Sequence, residues 1–67
     1  MAHTRVVYAS SVTVGDAFLQ DGIPVEIVRI EVQNGDRVAY GAYGTHRNGL
    51  GAARYYMGAP WDYAYIL

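Results

Sequence analysis

The sequence has no cysteine and no lysine, only two prolines, and charged residues make up just 16% of it. Without cysteine there is no disulfide framework to brace a small scaffold and no thiolate for zinc. Sparse charge set against 52% hydrophobic residues rules out a chain kept unfolded by self-repulsion and weak apolar content. No apolar run approaches the ~18 residues of a membrane-spanning helix, and Met-Ala-His-Thr-Arg leads into no signal-peptide core. A soluble, cytoplasmic protein with no membrane role is expected. The net charge of −1 and pI near 6.0 weigh against a strongly basic nucleic-acid binder and against an acidic mimic of nucleic acid.

What remains is 67 residues, enough for one small domain spanning 1–67. A chain of this size buries only about 60% of its unfolded surface, and nothing cross-links it, so self-association into a homo-oligomer is a natural expectation. Every basic side chain is an arginine: Arg5, Arg29, Arg37, Arg47 and Arg54. Arginine pairs bidentately with carboxylates and phosphates and stacks on rings, but GC-rich coding is the favoured account of a lysine-free chain, with the chemistry merely permitted by it.

The pattern along the chain is that of short strands. Thr4–Ala9 is rich in β-branched and aromatic residues and is broken by Ser10-Ser11. Gly15-Asp16 interrupts an apolar stretch and predicts a bend or bulge before a short strand ending at Gln20. Asp21-Gly22 is a turn pair, and Pro24 keeps Ile23 extended. In Ile23–Gln33, Val25 and Ile27 alternate with Glu26, and then Val28, Ile30 and Val32 alternate with Arg29 and Glu31, so the period of two slips by one between Ile27 and Val28. A strand that bends or bulges there and serves two sheets explains the slip. Asn34-Gly35 predicts a hairpin. Matching polar with polar across it favours a three-residue loop, with Glu31 opposite Arg37, Ile30 opposite Val38 and Val28 opposite Tyr40.

Thr45–Gly49 reads as the longest exposed loop, Leu50–Met57 as a strand, Gly58-Ala59-Pro60 as a turn and Trp61–Leu67 as the last strand. The expected fold is all-β: a small antiparallel barrel or rolled sheet of five or six strands. Val14-Gly15-Asp16-Ala17-Phe18, followed by Ile23–Val32 and the Asn34-Gly35 turn, resembles SH3-like barrels over residues 12–43. The resemblance implies a fold class and carries no functional residue onto this chain.

Candidate chemistry is thin. His46 beside Arg47 has the residue types of an acid–base pair with an anion clamp, but two solvated loop residues read the same way, and the six carboxylates are scattered. His3 and His46 have no metal-ligand spacing. Gly41-Ala-Tyr-Gly44 and Gly49-Leu-Gly51 match no nucleotide fingerprint and suit turns and bulges. No catalytic residue, metal or cofactor is therefore assigned.

The aromatic content stands out. Aromatics make up 13% of the chain, seven of them tyrosines, and Tyr43, Tyr55, Tyr56, Trp61, Tyr63 and Tyr65 crowd the C-terminal part. Tyrosine, tryptophan and arginine dominate interface hot spots. Tyr55 and Tyr56 must face opposite ways in a strand, and if Ala64 and Ile66 point inward, Trp61, Tyr63 and Tyr65 form an outward ladder. The expected function is a non-enzymatic protein-binding module, an inhibitor or adaptor of a larger protein machine, using Tyr43, Arg47, Arg54, Tyr55, Tyr56, Trp61 and Tyr63. Two alternatives stand beside it: a barrel that stacks single-stranded nucleic acid on those rings, disfavoured by the charge, and a structural homo-oligomer subunit.

Overall fold

The computed structural model describes residues 3–43 and 51–67. It contains six strands, β1 (Arg5–Tyr8), β2 (Ala17–Gln20), β3 (Ile23–Gln33), β4 (Asp36–Tyr43), β5 (Gly51–Gly58) and β6 (Tyr63–Ile66), with a 3-10 turn at Ala9–Ser11. All pairings between strands are antiparallel. One sheet has the order β2-β3-β4-β5 and the other is the pair β1-β6. This is the expected small antiparallel rolled sheet.

The two sheets bury one core between them. Phe18 of β2, Val25 and Ile27 of β3, Met57 of β5, and Ala64 and Ile66 of β6 form one cluster, joined by Val12 from the segment before β2. Full burial of residues such as Ile27 and Ile66 stabilises the fold by about 1.5–3 kcal/mol each. The four-stranded sheet curls, and β6 touches both of its ends: Leu67 N–H donates to the Ala17 carbonyl at 2.8 Å, and Tyr65 N–H donates to the Tyr55 hydroxyl at 2.9 Å.

The curl has a local cause in β3. Ile27 pairs with Gly41 and Arg29 with Tyr40, which leaves Val28 as the extra residue of a bulge that bends the strand and increases its twist. The slipped period in the sequence marks this place. Val25, Ile27 and Ile30 point inward, while Val28 is exposed. β3 does not serve two sheets, however. Its first part pairs with β2 and its second with β4 inside a single sheet.

The β3–β4 hairpin corrects the expected register. The loop has two residues, with Gln33 opposite Asp36, Val32 opposite Arg37 and Glu31 opposite Val38. Asn34 and Gly35 both have positive φ, 53° and 84°, the mark of a type I′ turn whose twist matches the flanking strands. Matching by polarity failed because each polar residue has its own outlet. Arg37 donates to the Val12 carbonyl at 2.7 Å, and Glu31 turns to Arg29 at 3.2 Å and to Gln33. The last strand is also shorter than expected: Trp61 and Asp62 belong to the turn before β6.

Candidate binding surface

Alternation along β1 and β6 sorts their side chains into two sets. Ala64 and Ile66 are buried, with Val7 packed against the same core. Val6, Tyr8, Tyr63 and Tyr65 therefore point outward, and they are 55%, 52%, 63% and 58% exposed. The register makes them neighbours, with Tyr8 opposite Tyr63 and Val6 opposite Tyr65. The Tyr8 and Tyr63 rings stack with centroids 5.3 Å apart and 20° between planes. Trp61, 73% exposed, extends the face from the preceding turn and with Tyr8, Ser10 and Pro60 lines a shallow groove of about 340 Å³.

Four of these five are aromatic side chains, each of which offers about 150–250 Å² of contact surface, and all five are more than half exposed. Exposed apolar patches of a few hundred Å² are often functional. None of the five is charged. At the margins, Asp62 accepts the Ala59 N–H at 2.8 Å and Arg5 lies 3.7 Å from Asp16, so both of these charges are engaged with their own chain.

The residues singled out from the sequence fall in several places. Trp61 and Tyr63 lie on this face. Arg54 and Tyr56 lie on the outer face of the four-stranded sheet, away from the core, where Arg54 is the register partner of Tyr40 and Tyr56 that of Val38. Tyr55 points inward, as its neighbour's outward direction requires, and its ring packs 5.2 Å from Phe18. Its hydroxyl accepts the Tyr65 N–H, so Tyr55 ties β5 of the four-stranded sheet to β6 of the other. Tyr43 ends β4; Arg47, like His46, falls outside the described residues.

The outer face of the four-stranded sheet is polar and internally paired. Arg29 lies over the Tyr40 ring at 4.4 Å, Gln33 donates to the Tyr40 hydroxyl at 2.6 Å, and the Tyr56 hydroxyl donates to Asp36. That bond to Asp36, aided by desolvation and by the carboxylate's charge, raises the Tyr56 phenol above the usual tyrosine range. A cleft of about 460 Å³ lies beside Tyr40 and Arg54, lined also by Gln20 and Ala52. Among the described residues, no group of three or more His, Asp or Glu side chains is arranged to hold a metal ion.

Val6, Tyr8 and Tyr65 complete the exposed face although the sequence reading did not assign them to the site. Period-two alternation in Arg5–Tyr8 puts Val6 and Tyr8 on one side, which was legible. That β1 pairs with β6, bringing Tyr8 onto Tyr63, was not. Compared with protein-family models, curated proteins and solved structures, the chain matches none.

Proposed function

We propose that this protein is a non-enzymatic protein-binding module whose docking surface is the outer face of the β1–β6 sheet. One observation carries the reading: Val6, Tyr8, Trp61, Tyr63 and Tyr65 form a contiguous, uncharged, more than half-exposed face. Interface centres are depleted in charge and rich in tyrosine and tryptophan, which give large rigid contact at low entropic cost. The core beneath fixes the backbone that presents the rings, so the surface is preorganised. An inhibitor or adaptor of a larger protein is the kind of role such a face fits.

The test uses the tagged full chain in host lysate, divided into nuclease-treated and untreated halves. Trp61→Ser/Tyr63→Ser removes rings from the proposed face, and Arg54→Ala/Tyr56→Ala alters the polar face. A stoichiometric protein that survives nuclease, is lost with the first pair and is kept by the second is the expected result. Recovery that vanishes with nuclease would shift the reading to single-stranded nucleic acid. Loss with the second pair alone would place the surface on the four-stranded sheet.

A further inference from the structure

The backbone of β1 carries information separate from its side chains. Ala9 N–H donates to the Asp62 carbonyl at 2.7 Å, one step beyond the Tyr8–Tyr63 pair. Bonded and non-bonded pairs alternate along an antiparallel ladder. Val7–Ala64 and Arg5–Ile66 are therefore bonded pairs, and the N–H and C=O groups of Val6 and Tyr8 point away from β6. Tyr65 gives an independent check: as the partner of Val6 it must send its N–H away from β1, and that N–H goes to the Tyr55 hydroxyl.

Among the described residues, β1 pairs with β6 alone, so this edge presents two unpaired donors and two unpaired acceptors. Edges of this kind are normally blunted by proline, lysine, a bulge or an inward charge. Arg-Val-Val-Tyr has no proline or lysine and pairs without a bulge, and its one charge stands at the far end beside Asp16.

We propose that two copies of the chain join along this edge, antiparallel and centred on Val7, into a continuous β6-β1-β1-β6 sheet. In that register, Val6 of one copy faces Tyr8 of the other in a bonded pair, twice over, and all four free groups on each edge are satisfied. Opposed residues in an antiparallel pair share a face. Val6 and Tyr8 both point outward, and Val7 meets its own copy on the inner side. The alternative two-fold register, centred on Val6, sets Arg5 against half-buried Val7 and Thr4 against Tyr8, mixing charge with apolar surface.

Two features favour a second copy over an unrelated strand. A two-fold pairing uses the same edge on both partners, so neither copy keeps its β1 edge open. It also aligns Tyr63, Tyr8, Val6 and Tyr65 in an apolar row across the seam, with aromatic and β-branched residues as direct neighbours. The inference goes beyond the protein-binding reading and does not depend on it. If both hold, the dimer presents the aromatic face in duplicate.

The experiment is sedimentation equilibrium of the full chain over a dilution series, with amide hydrogen exchange read at Val6 and Tyr8. The mass should move between 7.4 kDa and twice that value. Protection of the Val6 and Tyr8 amides should rise with concentration by about tenfold or more, while the Val7 amide, bonded to β6, stays protected throughout. Tyr8 already has φ −69°, so Tyr8→Pro fits the backbone and removes only the edge donor and the ring. It should abolish the dimer, whereas Tyr8→Ala, which keeps the N–H, should retain it. A constant 7.4 kDa species with unprotected Val6 and Tyr8 amides overturns the proposal. So does a dimer that survives Tyr8→Pro. Its loss with Tyr63→Ser would then assign self-association to the aromatic face, an outcome separate from the recovery of a foreign partner.

Discussion

Replacing Gly41 by alanine tests the tightness of the curled sheet. Gly41 faces Ile27 at the start of the β3 bulge, where the strands bend toward the core. A Cβ placed there would press on the Glu26 carbonyl oxygen and come within 2.6 Å of Val25 Cγ1. Gly41 is not among the glycines of positive φ, so the requirement is space and not conformation. Overpacking of this kind costs about 1–3 kcal/mol, offset by about 0.4–1 kcal/mol because alanine restricts the unfolded chain. The net loss of about 1.5 kcal/mol falls on a domain whose total stability is on the order of 3–5 kcal/mol, and it should lower the melting temperature by about 10 °C. Urea and thermal unfolding followed by far-UV circular dichroism read this directly. Combining the change with Val25→Ala should not restore the parent's stability, because the clash with the Glu26 carbonyl remains and truncating the fully buried Val25 opens a cavity of its own. A Gly41→Ala protein as stable as the parent would refute the close approach of β3 and β4 at this point.

Three further outcomes are expected. Ile66→Ala, which hollows a fully buried site, should cost about 2–5 kcal/mol and leave little folded protein, while Trp61→Ala at a 73% exposed position should change stability by no more than about 0.5 kcal/mol; chemical denaturation compares them, and a large Trp61 effect would contradict its place outside the core. Gly35→Ala should destabilise by about 1 kcal/mol, because φ is +84° and alanine pays a steric penalty in the left-handed region. In an alkaline absorbance titration Tyr56 should ionise above the ordinary tyrosine pKa, since its bond to Asp36 holds the proton. A folded-state pKa above the unfolded one means that the Tyr56–Asp36 contribution is intact below the ordinary tyrosine pKa and is lost as pH rises through the raised value. Asp36→Asn should bring Tyr56 back toward the ordinary tyrosine value, and an unchanged titration would show that the bond does not form in solution.

Legibility differed from element to element. Both turn pairs and the β3 bulge could be read because glycine-containing dipeptides and a slipped period are local signals: φ preference and side-chain alternation depend on neighbours a few residues away. Polarity matching gives the wrong hairpin register because turn geometry decides it. Asn34-Gly35 prefers two positive φ values, and this preference outweighs an unfavourable pairing when Arg37 and Glu31 can each find a partner elsewhere. Closeness in sequence groups Arg54 and Tyr56 with Trp61 and Tyr63, yet β5, which carries the first two, belongs to the four-stranded sheet, whereas Tyr63 lies on β6 and Trp61 in the turn before it.

By itself, the amino-acid sequence determined an all-β chain of short strands, where β3 must bend, that Tyr55 and Tyr56 face opposite ways, and that Tyr63 and Tyr65 share a side. These follow from backbone preferences and a period of two, which act over a few residues. Only the tertiary structure decided that β1 lies beside β6, that Ala64 and Ile66 take the core side and leave the tyrosines outside, and that Tyr8 stacks on Tyr63. Those outcomes depend on which strand, more than fifty positions away in the chain, supplies the partner backbone, and that choice is made by closing one apolar core.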